Sequence, residues 1–276
     1  MRQIYTQTEL SELRPLLGDD LFARVSASPH LFVPVGGDGF FFSFLFCDVR
    51  QPQLPGARLS AYCGRDALLF VSDSALCREQ LGQISEDQTP CKQILDLFLA
   101  LSASDVDVLE RLEDEITALE DEMLLSKRPV RSASGRIIRM RRLLLRLKRY
   151  YEQFSLITSG FAENENELLD DALQKRFRSL DRRLDHLLDS VLHLREYITQ
   201  VREAYQAQID IEQNQIMKIF TVLTAVFLPP TLIAGWYGMN FSLPEYHWAF
   251  GYPYVILLTL GVCLCSALWF KHKHWF

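Results

Sequence analysis

The chain has 276 residues and a formal charge of −6 at pH 7, long enough for one water-exposed domain plus a small membrane part. Its overall hydropathy is near zero, which excludes a carrier made mostly of membrane spans. No nucleophile–base pair, phosphate-cradling loop or metal-ligand triplet emerges, so the sequence gives no support to an enzyme.

The first twenty residues carry Arg2, Glu9, Glu12 and Arg14 and no apolar segment. No signal peptide is expected there, and the N-terminal part is expected to stay in the cytoplasm. Residues 1–104 read as a cytoplasmic α/β domain. Strands are predicted at 31–35, 40–49, 58–63 and 67–71, where β-branched and aromatic residues sit between Gly and Pro punctuation. The run Phe40-Phe41-Phe42 and Phe44-Leu45-Phe46 predicts a strand buried on both faces. Short helices are predicted at 8–17 and 90–102. The six cysteines lack metal-ligand spacing with histidine and are expected to be reduced, inert fillers.

From Asp105 the pattern turns to long helices. Leu109, Leu112, Ile116, Leu119 and Met123 are spaced 3-4-3-4, as are Ile137, Met140, Leu144, Leu147, Tyr151 and Phe154. A break at 126–134 divides them, predicting a charged helical hairpin over 105–161. Its first arm is acidic and its second begins with a basic block from Lys127 to Arg149. The block alone could be a nucleic-acid patch. The preferred reading has antiparallel arms that neutralise each other, and no nucleic-acid partner.

A third helix is predicted from near Glu165, with a stalk over 162–216. Neither proline nor glycine occurs between Gly160 and Pro229, so about 65 helical residues would span on the order of 100 Å. Its apolar stripe runs Leu173, Phe177, Leu180, Leu184, Leu187, Val191, Leu194, Ile198, Val201 and Tyr205 at near-heptad spacing. The opposite face carries Asp189, Glu196, Glu203 and Asp210 seven apart, then Met217, Thr224, Thr231 and Gly238. Such a row is either a solvated face or the lining of a pore, and it stays in line only if the helices supercoil. Ile219, Leu223 and Val226 are expected to face lipid. His186 and His193 are taken as ordinary surface or interface residues.

Two uncharged stretches close the chain. They predict a first transmembrane helix at 217–239, an outer loop at 240–248, a second transmembrane helix at 249–271 and a cytoplasmic tail at 272–276. Lys218 stands at one end and Lys271, His272, Lys273 and His274 at the other, while the loop has Glu245 and no Lys or Arg. Both termini are therefore expected in the cytoplasm and the loop outside. Trp236, Tyr237, Tyr246, Trp248 and Tyr252 would anchor the outer interface, Trp269 and Trp275 the inner. Two helices per chain cannot enclose a pore, so transport would require an oligomer. The hairpin alone is equally compatible with an anchored scaffold.

The segment from Asp210 through Pro229-Pro230-Thr231 to Tyr237-Gly238-Met239-Asn240, and the tail from Phe250 to Phe276, resemble the CorA family of magnesium channels. The resemblance covers about the last 70 residues and is weak in the N-terminal domain. It implies a homopentameric funnel in the cell inner membrane, with an α/β cytoplasmic domain, a long stalk helix and two C-terminal transmembrane helices. It implies that Asn214, Met217, Phe220, Thr224, Leu228 and Thr231 line the pore, and that Gly238, Met239 and Asn240 select the ion, Asn240 binding it hydrated. Glu203 and Asp210 would line the vestibule. Mg²⁺ would be transported, with Co²⁺ and Ni²⁺ as further cargo, and would also regulate from cytoplasmic sites; no organic cofactor is implied. Ser179 stands where a regulatory Asp can occur, leaving Asp181, Asp185 or the acidic first arm as candidate regulatory ligands. The alternative is a zinc transporter of the same architecture, whose relatives usually carry Gly-Ile-Asn where this chain has Met239.

Overall fold

The computed structural model describes residues 2–6, 31–35, 39–126, 132–239 and 250–273, with isolated positions between them. Most of the helix expected at 8–17 lies outside the described residues. The chain divides into two units, Met1–Leu125 with Val130–Glu203, and Ser126–Pro129 with Ala204–Phe276.

The first unit holds a five-stranded sheet: β1 (Arg2–Tyr5), β2 (Leu31–Val35), β3 (Gly39–Phe46), β4 (Ala57–Gly64) and β5 (Leu68–Ser72). The strand order is β1-β5-β4-β3-β2. β1 runs parallel to β5 and the other pairs are antiparallel, with Phe42 opposite Phe32 on one side and Ala61 on the other. The sequence reading overlooks β1. With only four residues, its strand character comes from pairing with β5 rather than from its own pattern. The Arg2 side chain helps to hold it in place, donating to the carbonyls of Leu81 at 2.8 Å and Ile84 at 2.9 Å.

Six helices follow among the described residues: α1 (Ala75–Gln83), α2 (Pro90–Leu101), α3 (Asp105–Leu125), α4 (Ala133–Glu163), α5 (Asp171–Tyr237) and α6 (Gly251–His272). α1 also escapes the sequence reading. The Ser74 hydroxyl caps it by accepting from the Cys77 amide at 3.3 Å. Pro90 opens α2, where its missing amide proton costs nothing.

The alternation along β3 divides its side chains between two faces. Phe40, Phe42, Phe44 and Phe46 point to the helices. Phe42 meets Phe98 and Phe161 with centroids at 5.6 Å, and Phe44 stacks on Phe154 at 5.5 Å. Phe41 joins Leu69 and Val71 on the other face. The expected strand buried on both faces is present, except at Leu45, which is 41% exposed.

The two arms of the hairpin and the first part of α5 bury the apolar rows from Leu109 to Met123, Ile137 to Phe154 and Phe177 to Val201, while Leu173 and Tyr205, the two ends of the expected α5 stripe, are half-buried. The start of α5 is later than expected. Asn164 adopts a left-handed conformation with φ of 54° and closes α4. Its side chain then clamps Leu169 through two 3.0 Å hydrogen bonds. The Asp170 carboxylate accepts from the Leu173 amide at 2.7 Å and begins the new helix.

Gly160 is needed where α4 crosses β2. A methyl group there would lie 2.3 Å from the Phe32 ring. That ring is held between Phe40 and Phe161, both at 5.3 Å, so it has little room to yield. Gly160→Ala is expected to cost about 1–3 kcal/mol through overpacking, read from denaturant unfolding. Unchanged stability would show that Phe32 moves aside freely.

Candidate functional site

The second unit contains the carboxyl-terminal half of α5 and the whole of α6. Both helices are long and apolar enough to cross a membrane, and only 6% of each apolar window is buried. At ~100° per residue, Val222, Val226 and Ile233 fall on one side of α5. Val222 is 3% exposed, and Val226 is half-buried, its carbonyl 3.9 Å from the Cys263 thiol of α6. Val226 therefore packs toward the second span rather than facing lipid. Ile219 and Leu223 are exposed, as expected.

Met217, Phe220, Thr224, Leu228 and Thr231 cluster about 180° away from Val222 on the same wheel. All are exposed in the single chain, Leu228 to 65%. Asn214, one turn before Met217, is exposed as well and lies at the edge of this row. The threonine hydroxyls at 224 and 231 donate to the carbonyls of Phe220 at 2.9 Å and Phe227 at 2.8 Å. Their donors are thus satisfied within the helix, and the oxygen lone pairs remain for another partner. The face away from α6 combines small polar groups with apolar side chains.

The helix ends in a tight turn. The Gly238 amide donates to Ala234 O at 2.9 Å and the Met239 amide to Trp236 O at 3.3 Å. A Cβ at 238 would lie 3.0 Å from the Ala234 carbonyl oxygen, so close backbone approach is what calls for glycine. Met239 is 45% exposed. Asn240, Tyr246 and Trp275 lie outside the described residues. Trp236, Trp248 and Tyr252 are exposed, and at the other end Lys273 Nζ sits 5.7 Å from the centre of the Trp269 ring.

The acids of α5 divide by surroundings. Glu203 and Asp210 are exposed, with Asp210 accepting from Gln206 at 3.1 Å. Asp181 is instead engaged by α4, accepting from Thr158 at 2.7 Å and from Ser159 at 2.9 and 3.0 Å. Asp185 accepts from Ser155 at 2.9 Å. Ser179 is exposed. Among the described residues, no three His, Cys, Asp or Glu side chains converge to hold a metal ion within one chain.

One buried acid was hidden among the charges of the first arm. Asp105 is 1% exposed and accepts a 2.9 Å hydrogen bond from the Tyr151 hydroxyl. Burial raises its pKa to about 6, against the opposing pull of that hydrogen bond and of Arg183 and Arg50. Burial, followed by the nearby Asp105 charge, raises the Tyr151 pKa as well. The signal was in the spacing, because Asp105 lies four residues before Leu109 on the same apolar stripe.

A carboxyl pKa that is higher in the folded state means extra protons bound on folding between about pH 4 and 6. Stability should therefore fall as pH rises through that window and level off above it. Asp105→Asn keeps an acceptor for Tyr151 and removes the charge. It is expected to flatten this slope and to be at least as stable as the wild type at pH 7, as measured by melts at pH 4.5 and 7. An unchanged slope would place the titration elsewhere.

A family model described as CorA-like Mg²⁺ transporter protein matches residues 33–272. The chain is 29% identical over 169 residues to a cobalt/magnesium transport protein CorA of Thermotoga maritima, covering 61% of the chain and 48% of that protein. It is 44% identical over 120 residues to a magnesium transport protein CorA of Sodalis glossinidius, covering 43% of the chain and 34% of that protein. The matched stretches thus span less than half the length of these relatives. The fold is similar to the complete structure of the CorA magnesium transporter from Methanocaldococcus jannaschii, with a TM-score of 0.79 at 21% identity over 100% of this chain and 91% of that one. With its sheet domain, long α5 and two apolar carboxyl-terminal helices, the chain belongs to the family of CorA-like Mg²⁺ transporter proteins.

Proposed function

We propose that the chain is one subunit of a homopentameric channel for divalent cations, chiefly Mg²⁺, with Co²⁺ and Ni²⁺ as further cargo. The observation that carries this reading is the face of α5 opposite α6. Its hydroxyls at Thr224 and Thr231 alternate with Phe220 and Leu228, and the second span of the same chain leaves it uncovered. Turned toward a common axis, five such faces make a narrow path. Mg²⁺ gives up its water reluctantly, so acceptor oxygens that bond to its hydration shell suit it better than stripping ligands. Apolar rings at Met217, Phe220 and Leu228 close the path by dewetting. Gly238, Met239 and Asn240 form the outer mouth, and Glu203 and Asp210 concentrate cations at the inner end. In this reading the protein lies in the cell inner membrane with both termini cytoplasmic, since Lys218, Lys271 and Lys273 flank the spans.

The test is ion flux into liposomes holding the purified protein, comparing Mg²⁺, Co²⁺ and Zn²⁺ with and without an inside-negative potential. Mg²⁺ uptake that grows with the potential is expected. Zinc-selective uptake driven by a proton gradient would favour the zinc transporter, and absence of flux from an inserted oligomer would favour the scaffold.

Regulation belongs to the same reading. Internal divalent ions bind the closed state better and shift the population toward it. Ser179 offers no carboxylate, while Asp181 and Asp185 are partly committed to α4 hydroxyls. Inhibition by internal Mg²⁺ is therefore expected to be weak and to strengthen in Ser179→Asp. Flux equally insensitive in both proteins would remove this form of gating.

A further inference from the structure

The neutralisation expected between the hairpin arms is realised at one ion pair among the described residues, Arg136 with Glu122 at 2.5 Å. Part of the remaining charge lines two grooves of the first unit. One groove, of about 500 Å³, lies between α3 and α5 and is lined by Val106, Glu110 and Glu113 from α3 and by His186, Asp189 and His193 from α5. The other, of about 300 Å³, lies between α4 and α5 and is lined by Ile138, Arg141, Arg142 and Leu145 with Arg195.

The carboxylates of Glu110, Glu113 and Asp189 and the guanidinium groups of Arg141, Arg142 and Arg195 make no hydrogen bond or ion pair among the described residues. Arg183, also on the acidic groove, is committed to the Ser102 and Ala103 carbonyls. The two charge sets cannot meet within one chain. His193 and Arg195 mark the two grooves on α5, and two residues along a helix place them about 200° apart.

Each groove presents one helix face at the i, i+3, i+4, i+7 spacing: Val106, Leu109, Glu110 and Glu113 on α3, and Ile138, Arg141, Arg142 and Leu145 on α4. Apolar groups stand exposed among the charges, Val106 at 43%, Ile138 at 46% and Leu145 at 40%. Apolar contacts bordered by charge, with arginine rather than lysine, fit a protein partner. Opposite charge on opposite sides of one chain fits a head-to-tail ring, in which one face of each copy meets the other face of the next.

Building on the ring reading above, we propose that the acidic α3–α5 groove of one copy seats the Arg141–Arg142 face of α4 of the neighbouring copy. The interface is heterologous, so it also fixes the direction in which copies follow one another around the ring.

The test uses the full chain in detergent with Cys263→Ser and Cys265→Ser as background, since Cys47, Cys63, Cys77 and Cys91 are buried. Two differently tagged forms are co-expressed, one with Glu113→Cys and the other with Arg142→Cys, and treated with a short bis-maleimide. Mixed dimers are expected, whereas either form expressed alone should give none. Adding Glu110→Arg to the first form should abolish the mixed product, and adding Arg141→Glu to the second should restore it. The mass of the uncrosslinked assembly is measured in parallel. A ring of the expected mass without mixed crosslinks overturns the face assignment and leaves the ring standing. Crosslinks within a single form overturn it in favour of a two-fold contact. A monomer under every condition overturns the ring reading and the interface with it.

Discussion

Asn240→Ala is expected to reduce Mg²⁺ uptake to that of empty liposomes while the protein remains a pentamer by mass. The Gly238 amide still bonds to Ala234 O at 2.9 Å as α5 ends, and in the channel proposed above the next polar side chain, Asn240, stands at the outer mouth. A carboxamide both donates and accepts hydrogen bonds. Five copies could hold a hydrated cation without removing its water, at an energy low enough to let it pass on. Alanine removes those contacts without adding bulk or charge. Normal uptake by a verified Asn240→Ala pentamer would exclude Asn240 as the capture residue.

The largest effect on stability is expected at Phe154→Ala. This ring is fully buried where α4 meets β3 and α2, with centroids 5.5 Å from Phe44, 4.9 Å from Phe98 and 5.6 Å from Tyr150. Rings on several sides leave little freedom for the cavity to collapse, so a loss of about 3–5 kcal/mol is expected. Denaturant unfolding in detergent measures it. A loss below about 1 kcal/mol would mean that the surrounding rings close the gap, as well-tolerated sites do.

Much of the architecture was legible because it rests on period. The apolar rows from Leu109 to Met123 and from Ile137 to Phe154 are buried as their spacing required. β3 was legible because five phenylalanines in a short run have few other places to go. The elements that escaped have short-range signals or none. β1 depends on a partner more than sixty residues away, with Arg2 opposite Leu68. α1 has a weak apolar face, burying only Cys77 and Leu81. The start of α5 was misplaced because the Asn164 turn looks like ordinary helix-compatible sequence until its left-handed backbone is seen.

The candidate site was legible where side chains follow the helix repeat, as at Thr224 and Thr231. Val226 was misassigned because a row of apolar residues does not say which of them meets lipid and which meets α6. Asp105 was hidden for the opposite reason: its charge outweighed its place on the apolar stripe.

Pro229 and Pro230 both lie inside α5. Each lacks the amide that would bond four residues back, so the carbonyls of Ala225 and Val226 lose their helical donors at the same height. In a hydrocarbon setting no water replaces those donors, and at Val226 the only contact of this kind among the described residues is a weak thiol donor, Cys263, at 3.9 Å. Two neighbouring rungs are therefore absent from an otherwise unbroken ladder. The first span is most compliant there, with Phe220 and Thr224 below the joint and Thr231 and Gly238 above it. Bending at that height would tilt the upper segment without unwinding the lower one, which in the channel proposed above would let the mouth and the inner path change width independently.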